Sequence, residues 1–524
     1  AMTGIPFFGH KASGIIFGLL ILSAVAIYLF AKKLSERVKP SPVVLNTIML
    51  SVMMITIGYS SYAVIMVRST ANPPMDQNSP EDIFSLGEYL AREQYGSTPL
   101  LYGQAYGSGL VWEPKGDYCI AKSITKGKSY GRMEKSQTGE KDSYYVKDDK
   151  RQYVYAQNML FPRMYSRSAE HIEEYNSWCG GIKGKTYIYD ACGRKEKAVI
   201  PTQLENLQFF VKYQINFMYW RYFMWNFAGR QNDSQNLYGE IQNGNWITGI
   251  GFIDRKLIGG DSKLMPEYLK GAGRNVFYCL PLLLGLIGLF WQFGKGKTGT
   301  RQFFVVLSLF FMTGLAIVVY LNQTPLQPRE RDYAYAASFY AFAIWIGLGV
   351  TAISDGLRKV VGEKAAPLLA FLICLFVPIQ MVSETWDDHD RSGRYTCRDF
   401  GQNYLTTLPE KGNPIIFTNG DNDTFPLWYN LETEGFRTDT RVCNLSYLMT
   451  DWYIDQMKRP AYDSKAIPIS FERIEYQSGT NEVVSIDPQR KYNSLKQARS
   501  EAEREWIYQE FELRNILDNY VKKG

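Results

Sequence analysis

Apolar residues in this chain gather into long uncharged runs set between broad polar tracts. Six runs stand out, at 12–31, 43–67, 276–293, 303–321, 333–354 and 365–383. A helix crosses the hydrocarbon core of a bilayer with about 20 consecutive apolar residues. A helix buried in a soluble core rarely stays uncharged for so long. The pattern therefore predicts a polytopic α-helical membrane protein of six spans. The polar tracts at 68–275 and 384–524 are long enough to fold as domains. The chain divides into two spans (1–67), a domain (68–275), four spans (276–383) and a second domain (384–524).

Within the first domain, Ser79, Pro80, Glu81 and Asp82 open a helix over 80–94, with Ser79 placed to cap it. Short strands follow through 109–200, such as those around Tyr144 and Tyr153, separated by Gly, Lys and Asp turns. Their tyrosines suit sugar or peptide binding, and equally suit ordinary strand composition. Residues 206–233 are densely aromatic, with Lys212, Arg221 and Arg230 spaced through them. Such a helix is too charged to span and too apolar for water, which places it along the membrane interface; a core helix of the domain is the alternative. In the second domain, a strand at 414–418, a helix at 424–434 and a strand from Arg441 form a βαβ unit, hence a parallel sheet. The end, 494–521, reads as one charged amphipathic helix. Both domains are expected to be α/β or α+β.

Average composition hides this organisation: 46% of the residues are hydrophobic, and the net charge is only +6. The position of the charge says more. Lys32, Lys33, Arg37 and Lys39 outnumber Glu36 after the first run, and Lys295, Lys297 and Arg301 follow the third without an acid. Arg358, Lys359 and Lys364 face Asp355 and Glu363 after the fifth. Basic residues in short loops stay in the cytoplasm. Both domains, and the short loop 322–332, are then extracytoplasmic. For a bacterium this means the inner membrane, with the domains in the periplasm. The chain opens without a basic signal-peptide region, and its start suits the interior of a longer polypeptide. Of seven cysteines, Cys279 and Cys374 lie in apolar runs, while Cys179 and Cys192 flank a Gly-rich segment and could form a disulfide outside the cytoplasm.

Three constellations could carry chemistry. The loop Gln327–Tyr335 holds Arg329, Glu330, Arg331 and Asp332 at the bilayer edge. A guanidinium donates two parallel hydrogen bonds to phosphate, so Arg329 and Arg331 could hold a lipid-linked phosphate. Alternatively Arg329–Glu330 and Arg331–Asp332 are internal ion pairs that cap the helices. After the last run come Asp387, Asp388, His389 and Asp390, which point in different directions on one helix and suit a polar cluster better than a metal site. His389, with Asp387, is the natural proton-transfer candidate there. Third, Asn419, Asp421 and Asp423 lie at the carboxyl end of the predicted strand, where open α/β sheets bind ligands. Asp421 and Asp423 could hold a divalent cation, or Asp423 could cap the helix that follows. Arg230, Asn232 and Asp233 add a fourth polar segment after the aromatic run. P-loop, G-x-S-x-G and H-E-x-x-H signatures are absent, as is a long basic patch for nucleic acid.

The segments 322–349, 386–396, 417–429 and 219–233 together resemble a family of large multispan proteins common in Bacteroidota. That family has no assigned function and is similar to the transmembrane protein O-mannosyltransferase-like group of vertebrates. The resemblance implies a GT-C-type glycosyltransferase that uses a polyprenyl-phosphate sugar and an extracytoplasmic protein or glycan acceptor. On that reading Arg329 and Arg331, with Glu330 and Asp332 beside them, form the donor-phosphate site. Asn419, Asp421, Asp423, Arg230, Asn232 and Asp233 are then candidates to meet the acceptor. Members begin with further spans and a loop of the form Phe-Trp-Asp-x-Gly-Glu that carries the expected catalytic carboxylate. This chain contains no such motif and resembles the later part of such a protein. The implied partners are the bilayer, the lipid-linked sugar, the amino-terminal half and other envelope proteins. A non-enzymatic scaffold subunit of an envelope assembly or export complex is the rival reading. A transporter fits least, because the apolar runs carry almost no ionisable residues.

Overall fold

The computed structural model describes residues 41–91, 93, 98–116, 118–133, 141, 143–241, 243–258, 271–477, 488–516 and 518. The predicted span at 12–31 and the basic linker that follows lie outside the described residues. Among the described residues, four helices are long and apolar enough to cross a membrane: Pro42–Thr70, Gly296–Leu321, Asp332–Val361 and Ala366–His389. They coincide with the second, fourth, fifth and sixth predicted spans and mark a polytopic membrane protein.

The run at 276–293 behaves differently. Its helix covers only Leu280–Phe293, 14 residues, or about 21 Å at 1.5 Å per residue. That is short of the roughly 30 Å hydrocarbon core. Two left-handed residues, Tyr278 and Cys279, interrupt the backbone before it, and Asn275–Val276 pair as a short strand with Gly229–Arg230. The front of the apolar run is thus spent on a β-bridge. The helix packs closely on Asp332–Val361 because glycines line the crossing. A Cβ on Gly288 would strike the Trp345 carbonyl, and one on Gly285 the Phe342 ring.

The chain forms two compact units. One comprises 97–124 and 152–393, so the aromatic segment and the later helices share it. Its hairpin of Lys185–Ala191 and Arg194–Ile200 is antiparallel, and Tyr118–Ala121 pairs with Trp112–Lys115. The expected Cys179–Cys192 bridge is not formed. Cys192, at the tip of the first hairpin, is bonded instead to Cys119 on strand Tyr118–Ala121 of the other pair, with Cα atoms 6.0 Å apart. Cys179 is buried at the end of helix Ala169–Cys179, its thiol directed to the Glu205 carbonyl, and burial pushes that thiol up to about 11.

The aromatic segment is a continuous helix over 203–227, opened by a capping box between Thr202 and Glu205. Its middle, Phe210–Trp220, widens into a π-helix. Phe209, Tyr213, Phe217, Tyr219, Tyr222, Phe223 and Phe227 are all buried. One half packs on Tyr175 and Trp178, and the other on Phe310 and Phe342. Its buried rings form the core of this unit, as in the alternative reading, while Leu204, Leu207, Val211 and Trp220 stay exposed along one side.

The other unit comprises the described parts of 1–96, 125–151 and 394–524. Ile83–Ala91 is the realised part of the helix expected from 80. Asp82, not Ser79, accepts from the Phe84 and Ser85 amides, since Ser79 sits in a left-handed turn. The βαβ expectation holds: Ile415–Thr418 and Arg441–Asn444 pair in parallel across helix Asp421–Glu432. The terminal segment is broken into helices Pro488–Gln497 and Glu501–Glu510, the second capped by Ser500.

Candidate functional site

The loop 322–335 is held from both ends onto the aromatic helix. Asn322 is fully buried and donates to the carbonyls of Pro99 and Pro162 at 2.9 and 3.0 Å. Gln214 donates to Asn322 Oδ1 and to the Gln323 carbonyl, and the Tyr213 hydroxyl to the Thr324 carbonyl. Arg163, also buried, donates to the Val319 carbonyl at the end of the preceding span, where helix carbonyls lack partners. At the far end, Gln235 donates to the Gln327 carbonyl at 2.6 Å.

An ion pair fixes the centre of the loop. Arg221 is 3% exposed and donates to the carbonyls of Phe217 and Gly244 and to both oxygens of Glu330, at 3.2 and 3.0 Å. Its guanidinium also lies over the Phe217 ring, 3.7 Å from the centroid. Burial pushes the Glu330 carboxyl up to about 7, more strongly than Arg221 holds it down. Among the described residues, the internal pairs Arg329–Glu330 and Arg331–Asp332 do not form. Glu330 belongs to Arg221 instead.

That exchange leaves the two neighbouring arginines uncommitted. Arg329 is exposed, and no carboxylate within ion-pairing distance is seen among the described residues. Arg331 is half-buried, with its Nε enclosed and unpartnered. Arg230 lies 4.5 Å over the Trp225 ring and pairs with Asp233 at 3.0 Å; its Nε is also buried without a partner. Asn232 is spent on turn geometry, accepting from the amides of Ser234 and Gly244. Arg221 connects the two segments: it binds Glu330 and shares the Trp225 ring with Arg230. Arg221 escaped sequence reasoning as a site residue. The available signal was a lone cation in a helix turn otherwise filled with rings, which needs a buried partner.

The remaining candidates lie elsewhere. Asp423 accepts from the amides of Asn419 and Gly420 at 2.8 and 2.9 Å. Those bonds, that to Asn419 first, hold its carboxyl below the usual range. It caps helix Asp421–Glu432, and Asp421 is exposed beside it. His389 ends helix Ala366–His389 with its side chain 70% exposed and Asp388 3.8 Å away, while Asp387 accepts from the next amide. No cluster of three metal-capable side chains occurs among the described residues.

Two parts of the chain match known families. Residues 397–524 match TMEM260-associated domain 2, and residues 96–211 match a family of unknown function, DUF8416. Neither region includes the 322–335 loop. No solved structure matches the chain.

Proposed function

We propose that this chain serves a membrane-bound glycosyl transfer in which Arg329 and Arg331 hold the phosphate of a polyprenyl-linked sugar. The carboxy-terminal match to a TMEM260-associated domain supports a relation to the protein O-mannosyltransferase group. The observation that carries the site assignment is the Arg221–Glu330 pair. By removing Glu330 from its neighbours, it leaves two guanidiniums without internal anions in a loop between two apolar helices. A lipid phosphate lies at the depth where such a loop meets the headgroups, and charge-assisted hydrogen bonds are the means of gripping it. The acceptor would be a protein or glycan outside the cytoplasm, with the protein resident in the inner membrane of a bacterium.

Donor affinity and melting temperature of Arg329→Ala and Arg331→Ala test this. Each bond to a charged group is worth about 1.5–3 kcal/mol, so each loss should weaken binding of a polyprenyl-phosphate sugar about tenfold to a hundredfold. Lysine should restore only part, since a point charge lacks the bidentate fork. Unchanged affinity with a lowered melting temperature would make the loop purely structural.

A further inference from the structure

A second cleft lies in the other unit, among residues 74–77 and 428–464, around a cavity of about 30 Å³. That volume admits two or three water-sized groups, enough for one edge of a ring but not for a whole ring. Two buried donors line it without protein partners among the described residues. Thr440 is 1% exposed and its hydroxyl is unsatisfied. Arg441 is 6% exposed; one terminal nitrogen donates to the Gln456 carbonyl, but its Nε has no acceptor. Leaving such groups dry and unpaired is costly. The cleft is therefore built for something that accepts hydrogen bonds.

The rest of the lining narrows the class. Asp76 is buried and receives a hydrogen bond from Ser69 at 2.7 Å, and Glu432 receives one from the Tyr462 hydroxyl. Asp76 and Glu432 offset Arg441 and the nearby Arg459, leaving no excess positive charge to favour a phosphate or carboxylate ligand. Trp428, Tyr447 and Trp452 supply an apolar wall, the first two stacked with centroids 6.2 Å apart. Donors, acceptors and flat rings in one cleft, with charges nearly balanced, match a neutral ligand bearing many hydroxyls. We propose that this cleft binds the edge of a neutral sugar residue, its hydroxyls accepting from Thr440 and Arg441 and donating to the carboxylates, its apolar face against the tryptophans. This site is independent of the lipid-phosphate reading.

Saturation-transfer NMR on the whole chain in lipid nanodiscs, free of glycoside detergents, tests it with methyl glucoside, galactoside and mannoside. At least one should receive saturation, while inorganic phosphate should neither bind nor displace it. Thr440→Val deletes the hydroxyl at nearly constant shape and should weaken binding about tenfold, without lowering the melting temperature. Trp452→Leu should weaken it to a similar extent. No transfer to any of the three sugars, phosphate binding in their place, or sugar binding untouched by Thr440→Val would each overturn the proposal.

Discussion

A single proton on Glu330 should be visible in the stability of the whole unit. Its folded carboxyl titrates near 7, above the ordinary 4.5, because burial outweighs Arg221. The folded state therefore binds the proton more tightly than the unfolded chain does. Linkage makes stability fall as pH rises from about 4.5 towards 7, the window in which only the unfolded state has lost the proton. Melting temperature against pH should slope downward there, and Glu330→Gln should flatten that slope. A slope unchanged in the variant would assign the titration to another group. At Cys119–Cys192, reduction should release two thiols to an alkylating reagent before denaturation, while buried Cys179 stays unreacted until unfolding. Early modification of Cys179 would contradict its packing against Glu205.

Helices in this protein are set by caps and by close approach. Asp82 satisfies two amides at the start of Ile83–Ala91, so Asp82→Ala should cost about 1 kcal/mol of local helix stability. Faster amide exchange confined to 83–91 is the expected readout. Gly288 is a stricter position, because the Trp345 carbonyl occupies the space of its missing side chain. Helices within a membrane gain from such small-residue contacts. Gly288→Leu should push Leu280–Phe293 off its partner at a cost of about 1–3 kcal/mol, read as a lower melting temperature in nanodiscs. The same element shows why run length misleads: 276–293 is apolar throughout, yet its first residues join a strand and only 14 remain helical.

For the molecule as a whole, alternation of basic loops predicts sidedness, and the structure adds one independent contact. Lys295, between the 280–293 and 296–321 helices, reaches Asp355 at 2.7 Å, and Arg358 joins the same carboxylate. These two linkers thus share one end of the helix group, as the charge pattern requires. Single cysteines introduced at Thr298 and Ser143, with native thiols blocked, should differ towards an impermeant reagent in envelopes: Ser143 accessible and Thr298 protected. The opposite result would invert the orientation.

What the sequence by itself determined follows from local rules. Among the described residues, four of the five apolar runs are helices of spanning length, since backbone groups in a long apolar stretch can only satisfy one another. The βαβ unit was legible because strand, helix and strand follow in 30 residues, 415–444, and short chains close in few ways. Asp423 was legible as a partner for amides at the helix start, although the helix begins at Asp421 and Asp423 bonds the Asn419 and Gly420 amides from inside its first turn. Tertiary structure decided the rest, and each case turns on a partner distant in the chain. Arg221 and Glu330 are 109 residues apart, so the sequence could offer only adjacent pairing as the alternative to a phosphate site and could not show the partner that Glu330 takes. Cys192 lies near Cys179 in sequence, but the hairpin carries it to Cys119, 73 residues away. Which side of the aromatic helix is core was likewise decided by rings from elsewhere, Tyr175 and Trp178 at one half and Phe310 and Phe342 at the other. Hydrophobicity and charge specify what must be covered or paired; which group does it depends on the fold.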